Sequence, residues 1–474
     1  MSKRSEWDQR LSVGTGGKNL VGHAGAVLLR RCGDRVGLTR ALSTVFPTGK
    51  GPDWWDRGTV LVSLAVSIVL GATSMSDINL LAHQMEVFGD PPSDSTVRRT
   101  LDSLDEAALK RIAKARAKTR RRVWDLLAKR PGGFPWLCVA GKLLTGWVVI
   151  DLDATLIGAH SNKQGAAATF KKGFGFHPLA GWCANTDESL SMLLRKGNAG
   201  SNTVSDHVQV LGEAVAQLPA RYQRKILIRV DGAGATHELL EHLTEMNTLW
   251  RKVRFTVGWT ITDVDEAAIA ALPEGDWTDS LHQDGTATTT AQVAELTGLN
   301  PRAKQWGGLR LIVRRTKPAS RQKAKLTALE RATGWRYAIV ATNITRIWGI
   351  PGSHHPQWID CLHRNHASVE DRVRTNKAMG LRNLPSQSWK INRGWVLAAN
   401  IAADIQAWTR LLGLYDQPDL AEAEPETLRY RLLHLPAKLT THARRRVLTI
   451  AETWPWAEAF GICWQRLSLL TQAP

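Results

Sequence analysis

Two apolar runs in the middle of this 474-residue chain constrain its fold more than any other feature, because both end in carboxylates. The first, Gly146-Trp147-Val148-Val149-Ile150, leads into Asp151-Leu152-Asp153-Ala154-Thr155. The second, Ile226-Leu227-Ile228-Arg229-Val230, leads into Asp231-Gly232-Ala233-Gly234. Short β-branched runs of this kind read as buried strands. Alternate residues of a strand share a face, so Asp151 and Asp153 point the same way, roughly 7 Å apart. Carboxylates at the end of an apolar strand are costly to bury unless a cation or hydrogen-bond donors offset them. A metal site and a solvated turn just beyond the strand both meet that demand. The second run is a strand followed by glycine-rich backbone and a helix, as at the C-terminal edge of α/β sheets, where ligands bind. Its Gly-x-Gly reads as a tight turn, and its aspartate is the informative residue.

The surrounding pattern supports an α/β sheet. Strands are predicted over 146–153, 176–184, 190–194, 225–231 and 254–259, with helices over 204–217 and 236–247. The chain before residue 130 reads as helical. One apolar helix covers 60–70, and Ser76-Asp77 caps a second. A third starts near Ser93 or Ser95, and a fourth follows Asp105 as far as Pro131-Gly132-Gly133. Strand-like pieces at 309–313 and 337–341 suggest an inserted β-rich subdomain. A helix over 356–377, a longer one over 389–412 and a mixed basic tail complete the chain. The expected division is 1–130, 140–259, 260–343, 344–412 and 413–474.

Lys and Arg total 62 against 43 Asp and Glu, a net charge of +19. A compact protein with that excess repels itself unless it meets a polyanion, and nucleic acid is the commonest. Residues 110–130 hold ten Lys or Arg against one acid, Asp125. The five cysteines, Cys32, Cys138, Cys183, Cys361 and Cys463, form no CxxC pair and read as reduced, mostly buried thiols. The apolar run 59–72 is too short to span a bilayer. Met1 to Leu11 is charged and polar, unlike a secretory signal. The expectation is a cytoplasmic, nucleoid-associated protein with no membrane partner.

A third acid lies in Asp360-Cys361-Leu362-His363-Arg364-Asn365-His366-Ala367-Ser368-Val369-Glu370-Asp371-Arg372-Val373-Arg374-Thr375-Asn376-Lys377. At about 100° per residue, His363, His366, Glu370, Arg374 and Lys377 fall within an arc of about 80°. Taken alone, this reads as an ordinary amphipathic helix with a solvated face. Zinc ligation by His363, His366 and Glu370 is the weaker metal reading, since helical zinc sites favour i, i+4 histidines. Acids on three elements can together hold two divalent ions, which activate water and stabilise the leaving oxygen of a phosphodiester. Mg²⁺ suits such hard oxygen ligands, with Mn²⁺ able to substitute.

These residues resemble a family. The chain is similar to bacterial insertion-sequence transposases of the DDE superfamily, and more closely to the 1380 group of insertion sequences. The resemblance starts at His23-Ala24-Gly25-Ala26-Val27-Leu28-Leu29 and Gly37-Leu38-Thr39. It continues through Asp151-Leu152-Asp153-Ala154-Thr155, Phe176-His177-Pro178-Leu179 and Leu194-Arg195-Lys196-Gly197-Asn198. It ends with Gly380-Leu381 and Leu384-Pro385-Ser386.

The resemblance implies an RNase H-like catalytic core, a β-rich insertion and a helical N-terminal DNA-binding region. It implies a metal-binding triad of Asp153, Asp231 and Glu370, with Asp151 in reserve for the first acid. His363, His366, Glu370 and Lys377 keep the spacing of a Tyr-x2-Arg-x3-Glu-x6-Lys signature, with histidine in place of Tyr and Arg. Lys377 would then steady a phosphate, and Arg374, His363 and His366, on the same face, are further DNA-contact candidates. Some relatives flip a base onto a Trp, but Trp277, Trp306 and Trp335 read as core residues. The implied partners are double-stranded DNA, as terminal inverted repeats and target, and a second copy of the chain.

Arg98 and Arg99, near a helix N-terminus, and Arg120, Arg121 and Arg122, on the basic helix, are candidates for reading the repeats. Arg444-Arg445-Arg446 is a further phosphate-contact candidate, or simply exposed surface. The alternatives to an active transposase are a nuclease that cuts without joining and a DNA-binding protein or remnant whose acids are idle.

Overall fold

Backbone pairing gathers nine strands into a single sheet. The computed structural model describes residues 12–51, 54–200, 203–306 and 308–471, so the reading of Met1 to Leu11 lies outside the described residues. The strands are β1 (Val148–Ala154), β2 (Leu179–Cys183), β3 (Glu188–Leu193), β4 (Lys225–Val230), β5 (Lys252–Trp259), β6 (Thr278–Leu281), β7 (Ala287–Glu295), β8 (Arg310–Thr316) and β9 (Arg336–Thr342). Their order is β6-β7-β8-β9-β5-β4-β1-β2-β3. β1, β4 and β5 are parallel, and all other neighbours are antiparallel. The strands of 260–343 therefore continue the central sheet from β5 outward.

Helices form before the sheet where the caps direct. α1 (Ala26–Arg35), α2 (Leu38–Ser43), α3 (Arg57–Val69), α4 (Asp94–Asp102) and α5 (Glu106–Leu127) precede β1. Asp56, Ser93 and Asp105 each accept a backbone N–H of the first turn of α3, α4 and α5. The stretch capped near Ser76 is instead a 3₁₀ segment, Ser76–Gln84. Further on come α6 (Val204–Gln217), α7 (His237–Glu245), α8 (Pro356–Arg364), α9 (Val369–Asn376), α10 (Trp389–Gly413) and α11 (Ala457–Leu469).

The sheet is apolar on both faces, as its parallel centre requires. Val148, Ile150 and Leu152 of β1 join one core with the N-terminal helices, α6 and α10. Val149 and Leu227 face the other way, against Trp358, Ile359 and Leu362 of α8. On that second face Val369 of α9 packs on Ala180 and Trp182 of β2.

The expected continuous helix over 356–377 is broken. A 3₁₀ turn, Asn365–Ser368, separates α8 from α9. The Ser368 hydroxyl donates to the Asn365 carbonyl at 2.8 Å, a local bond that competes with the α-helical ladder. A 3₁₀ turn advances about 120° per residue, so the arc drawn for His363 through Lys377 does not hold.

The basic tail is ordered. β10 (Ala437–His442) and β11 (Arg445–Ile450) form a hairpin, and Leu20–Val21 near the start of the chain pairs with β10. Arg444, Arg445 and Arg446 lie exposed at its turn. Cys138 is exposed and the other four thiols are buried. Among the described residues no helix is long and apolar enough to cross a membrane.

Candidate active site

Strand register brings two of the three expected acids together. Val230 of β4 pairs with Leu152 of β1, so one further step along the parallel ladder sets Asp231 beside Asp153. Both are half-buried at the C-terminal edge of the sheet. The turn after Asp231 lies hard against β5. A Cβ added at Gly258 would stand 2.5 Å from the Gly232 nitrogen, so only glycine admits this approach. Burial, and then the charge of Asp231, push the Asp153 carboxyl up to about 6. Its own backbone gives partial relief, with the Ala154 N–H donating to Oδ1 at 2.7 Å.

Asp151, two residues earlier on the same face, has the opposite surroundings. It is fully buried and accepts four bonds. Arg229 of β4, its neighbour across the ladder, donates from Nε to Oδ1 at 2.6 Å and from Nη2 to Oδ2 at 2.8 Å. His366 Nδ1 meets Oδ1 at 3.0 Å, and Arg372 Nη1 donates to Oδ2 at 2.9 Å. Burial alone would raise this carboxyl. The Arg229 charge and the His366 bond outweigh it and hold the group well below the usual carboxylate range.

Glu370 lies exposed on α9. Among the described residues no group of three or more His, Cys, Asp or Glu side chains is set to hold a metal ion. The structure thus couples Asp153 with Asp231 and leaves Glu370 outside the pair. The rest of the signature frame faces varied surroundings. His363 turns inward, with Nδ1 3.1 Å from the Thr256 hydroxyl. Burial, with the nearby His366 and Arg229, pushes it down to about 3, so it stays neutral. This corrects the expectation that His363 contacts DNA, and His366 is likewise committed to Asp151. Arg374 is exposed and pairs with Glu424 at 2.6 Å and Asp371 at 3.2 Å. Lys377 is half-buried, and burial and then Lys171 lower its proton affinity.

The basic helix α5 divides by face. Arg121 is exposed, and Arg122 donates to the Thr471 carbonyl. Arg120 is fully buried, against expectation. It donates to Glu188 of β3 at 2.8 Å and to Asp404 of α10 at 2.7 Å, and to Gln217. Trp124 and Trp408 also donate to Glu188, each at 2.6 Å. A guanidinium so enclosed cannot reach DNA, and its place among DNA contacts is withdrawn. Arg98 and Arg99 on α4 are exposed.

In the insertion, Trp277 is buried beneath Arg315, Trp306 packs on Trp259, and Lys317 Nζ sits 3.6 Å above the Trp335 ring. Sequence reasoning overlooked Arg229 and Arg372 as site components. Arg229 carried a signal, a charge inside an otherwise apolar strand, whereas Arg372 carried none.

The two coupled carboxylates are hard oxygen donors whose mutual repulsion a divalent cation relieves, so this donor pair fits Mg²⁺. No curated protein matches the chain. Among solved structures it is similar to the piggyBac transposase in a synaptic complex with hairpin DNA. The identity is 11%, the match covers 86% of this chain and 78% of that one, and the TM-score is 0.41, too distant to transfer any role. The family model described as transposase DDE domain group 1 matches residues 3–472, and the chain therefore belongs to the DDE transposase family.

Proposed function

We propose that this protein is a transposase that binds the terminal inverted repeats of its element, cleaves the ends to free 3′-OH groups and joins them to target DNA. The observation that carries the reading is the Asp153–Asp231 pair at the C-terminal edge of adjacent parallel strands, in a chain matched almost end to end by the family. In this reading the antiparallel-to-parallel run β3-β2-β1-β4-β5 is an RNase H-like core and β6 to β9 are its insertion. The source is a bacterial element of the 1380 group.

Asp153 and Asp231 would hold Mg²⁺, with Glu370 as the third carboxylate. Bound Mg²⁺ lowers the pKa of a coordinated water and stabilises charge on phosphate oxygens. Asp153 is the first acid rather than Asp151, because both oxygens of Asp151 already accept two donors each. Asp153, repelled by Asp231, gains most from a cation. Lys377 and the exposed Arg98, Arg99 and Arg121 supply positive charge for DNA phosphates, which makes binding salt-dependent. Pairing of two element ends calls for a homodimer.

The exposure of Glu370 outside the carboxylate pair favours a second reading, a repeat-binding protein without strand cleavage. One assay separates the two. Protein is mixed with a DNA fragment carrying the repeat that flanks its gene, with and without Mg²⁺, beside Asp153→Asn and Glu370→Ala variants. Mg²⁺-dependent 3′-OH formation at the repeat tip, lost in both variants, and joined product support the transposase. Repeat binding with no cutting, unchanged in the variants, overturns it in favour of the second reading.

A further inference from the structure

We propose that Asp151 is a positioning residue that sets the three acids against one another, an inference that rests on the reading just given. Each of its contacts lies close in sequence to one of them. Asp151 itself stands two residues before Asp153 on β1. Arg229, which takes both its oxygens, stands two residues before Asp231 on β4. His366 and Arg372 stand four residues before Glu370 and two after it. One carboxylate therefore holds all three acid-bearing elements. Arg229 adds a bond to the Leu362 carbonyl at 3.2 Å, tying in the end of α8, and Arg372 adds one to Asp187 at 2.8 Å in the β2–β3 turn.

The three elements need this tie unequally. β1 and β4 are already locked by their backbone ladder, which fixes Asp153 beside Asp231. α9 shares no ladder with the sheet. Its packing on β2 is through Val369 and Val373, apolar contacts that leave rotation about the helix axis weakly specified. His366 and Arg372 supply directional bonds on both sides of Glu370, and two anchors on one carboxylate fix both the roll and the pitch of the segment between them.

The broken helix follows from the same requirement. Residues six apart on a regular α-helix lie about 120° apart around the axis and about 9 Å apart along it. A regular helix over 366–372 would aim these two side chains in different directions. The 3₁₀ turn at Asn365–Ser368 reorients His366, and both side chains converge on Asp151. The other buried network, around Arg120, also joins helix to sheet, but it meets none of the segments next to the three acids.

The test uses full-length protein loaded with Fe²⁺ in place of Mg²⁺, then ascorbate and peroxide, so that radicals cut the backbone beside the bound metal. The wild type is expected to be cut near residues 153, 231 and 370. His366→Leu removes a donor at similar bulk, and Arg372→Met keeps the stem without the guanidinium. Both should keep the cuts at 153 and 231 and lose the one at 370. The Mg²⁺ needed for half-maximal nicking should rise about 10-fold or more, with affinity for repeat DNA unchanged. His366→Gln, which retains an amide donor, should restore most of the wild-type pattern.

Wild-type cuts and Mg²⁺ dependence in His366→Leu and Arg372→Met would overturn the positioning role while leaving the transposase reading intact. A uniform loss of all cuts, in step with a lower melting temperature, would overturn it too, leaving a purely structural ion cluster. Absence of cuts at 153 and 231 in the wild type would sink the metal-site reading and this proposal with it.

Discussion

Two residues apart on β1, Asp151 and Asp153 point to the same side of the sheet, yet their carboxyl groups are shifted in opposite directions. The inner aspartate lies in the body of the sheet, where two guanidinium groups and an imidazole accompany it. The outer one lies at the strand end, with another carboxylate as its neighbour. Burial penalises both charges alike, so the companions decide the outcome. An acid saturated by donors is a structural part. An acid buried beside a like charge is held at a cost in stability, and such sites are where function is sought.

The strongest way to break this contrast is to neutralise each member in turn. Asp153→Asn should reduce nicking about 10³-fold or more, on the order of 4 kcal/mol of transition-state stabilisation, while urea unfolding at pH 7 shows no loss of stability. Nicking within tenfold of wild type would remove Asp153 from the site. Asp151→Asn should weaken the fold as well as the placing of the acid-bearing segments. It leaves Arg229 buried without its counter-charge, and urea unfolding should show a loss of about 3 kcal/mol. A variant as stable as wild type would show that Asp151 bears little of the load.

Titration sharpens the contrast further. Native Asp153 holds its proton up to about pH 6, whereas the unfolded chain releases it near the ordinary carboxylate value of 3.8. Its raised pKa therefore contributes stability that is present below about pH 4 and fades as pH rises through 6. The gain from Asp153→Asn should be small at pH 4 and reach about 3 kcal/mol by pH 7. Asp151, with its lowered pKa, acts the other way, and its contribution is lost as pH falls below 3.8. Urea midpoints between pH 3 and 7 for the two aspartate variants would show opposed trends, and parallel trends would refute the assignment.

The smallest effect concerns a second pair of neighbours with different fates, Arg120 and Arg121. Arg121→Gln should weaken repeat binding a few-fold and reduce the salt slope by about 1, which a fluorescence titration over several salt concentrations measures. Arg120→Gln should destabilise the protein, and a pure change in DNA affinity would contradict its buried place.

What the sequence discloses depends on whether the signal is local. The starts of α4 and α5 are legible because Ser93 and Asp105 act on backbone three residues away, whereas the Asp56 cap of α3 goes unread. Strands β1 and β4 are legible because short apolar runs rich in β-branched residues have few other uses. The break between α8 and α9 escapes a wheel drawn at 100° per residue, and the carboxylate on which His366 and Arg372 converge lies more than two hundred positions earlier. Arg120 and Arg121 are alike in composition and differ only in which face of α5 meets the sheet. Nor does adjacency in sequence disclose that β9 docks on β5, carrying the whole insertion onto an existing edge.

The pairing of Leu20–Val21 with β10 has a consequence for how the protein is made. The ribosome releases the N-terminal helices first, but α3, almost wholly buried, finds its cover in α10. The first strand must wait still longer, for residues 437 and 438. During synthesis the early helices remain an unfinished, aggregation-prone assembly. A frameshift or stop before residue 389 leaves α3 without its cover from α10. Such fragments should be cleared by quality control before they interfere with the intact protein, so damaged copies of the gene would not act as inhibitors of sound ones.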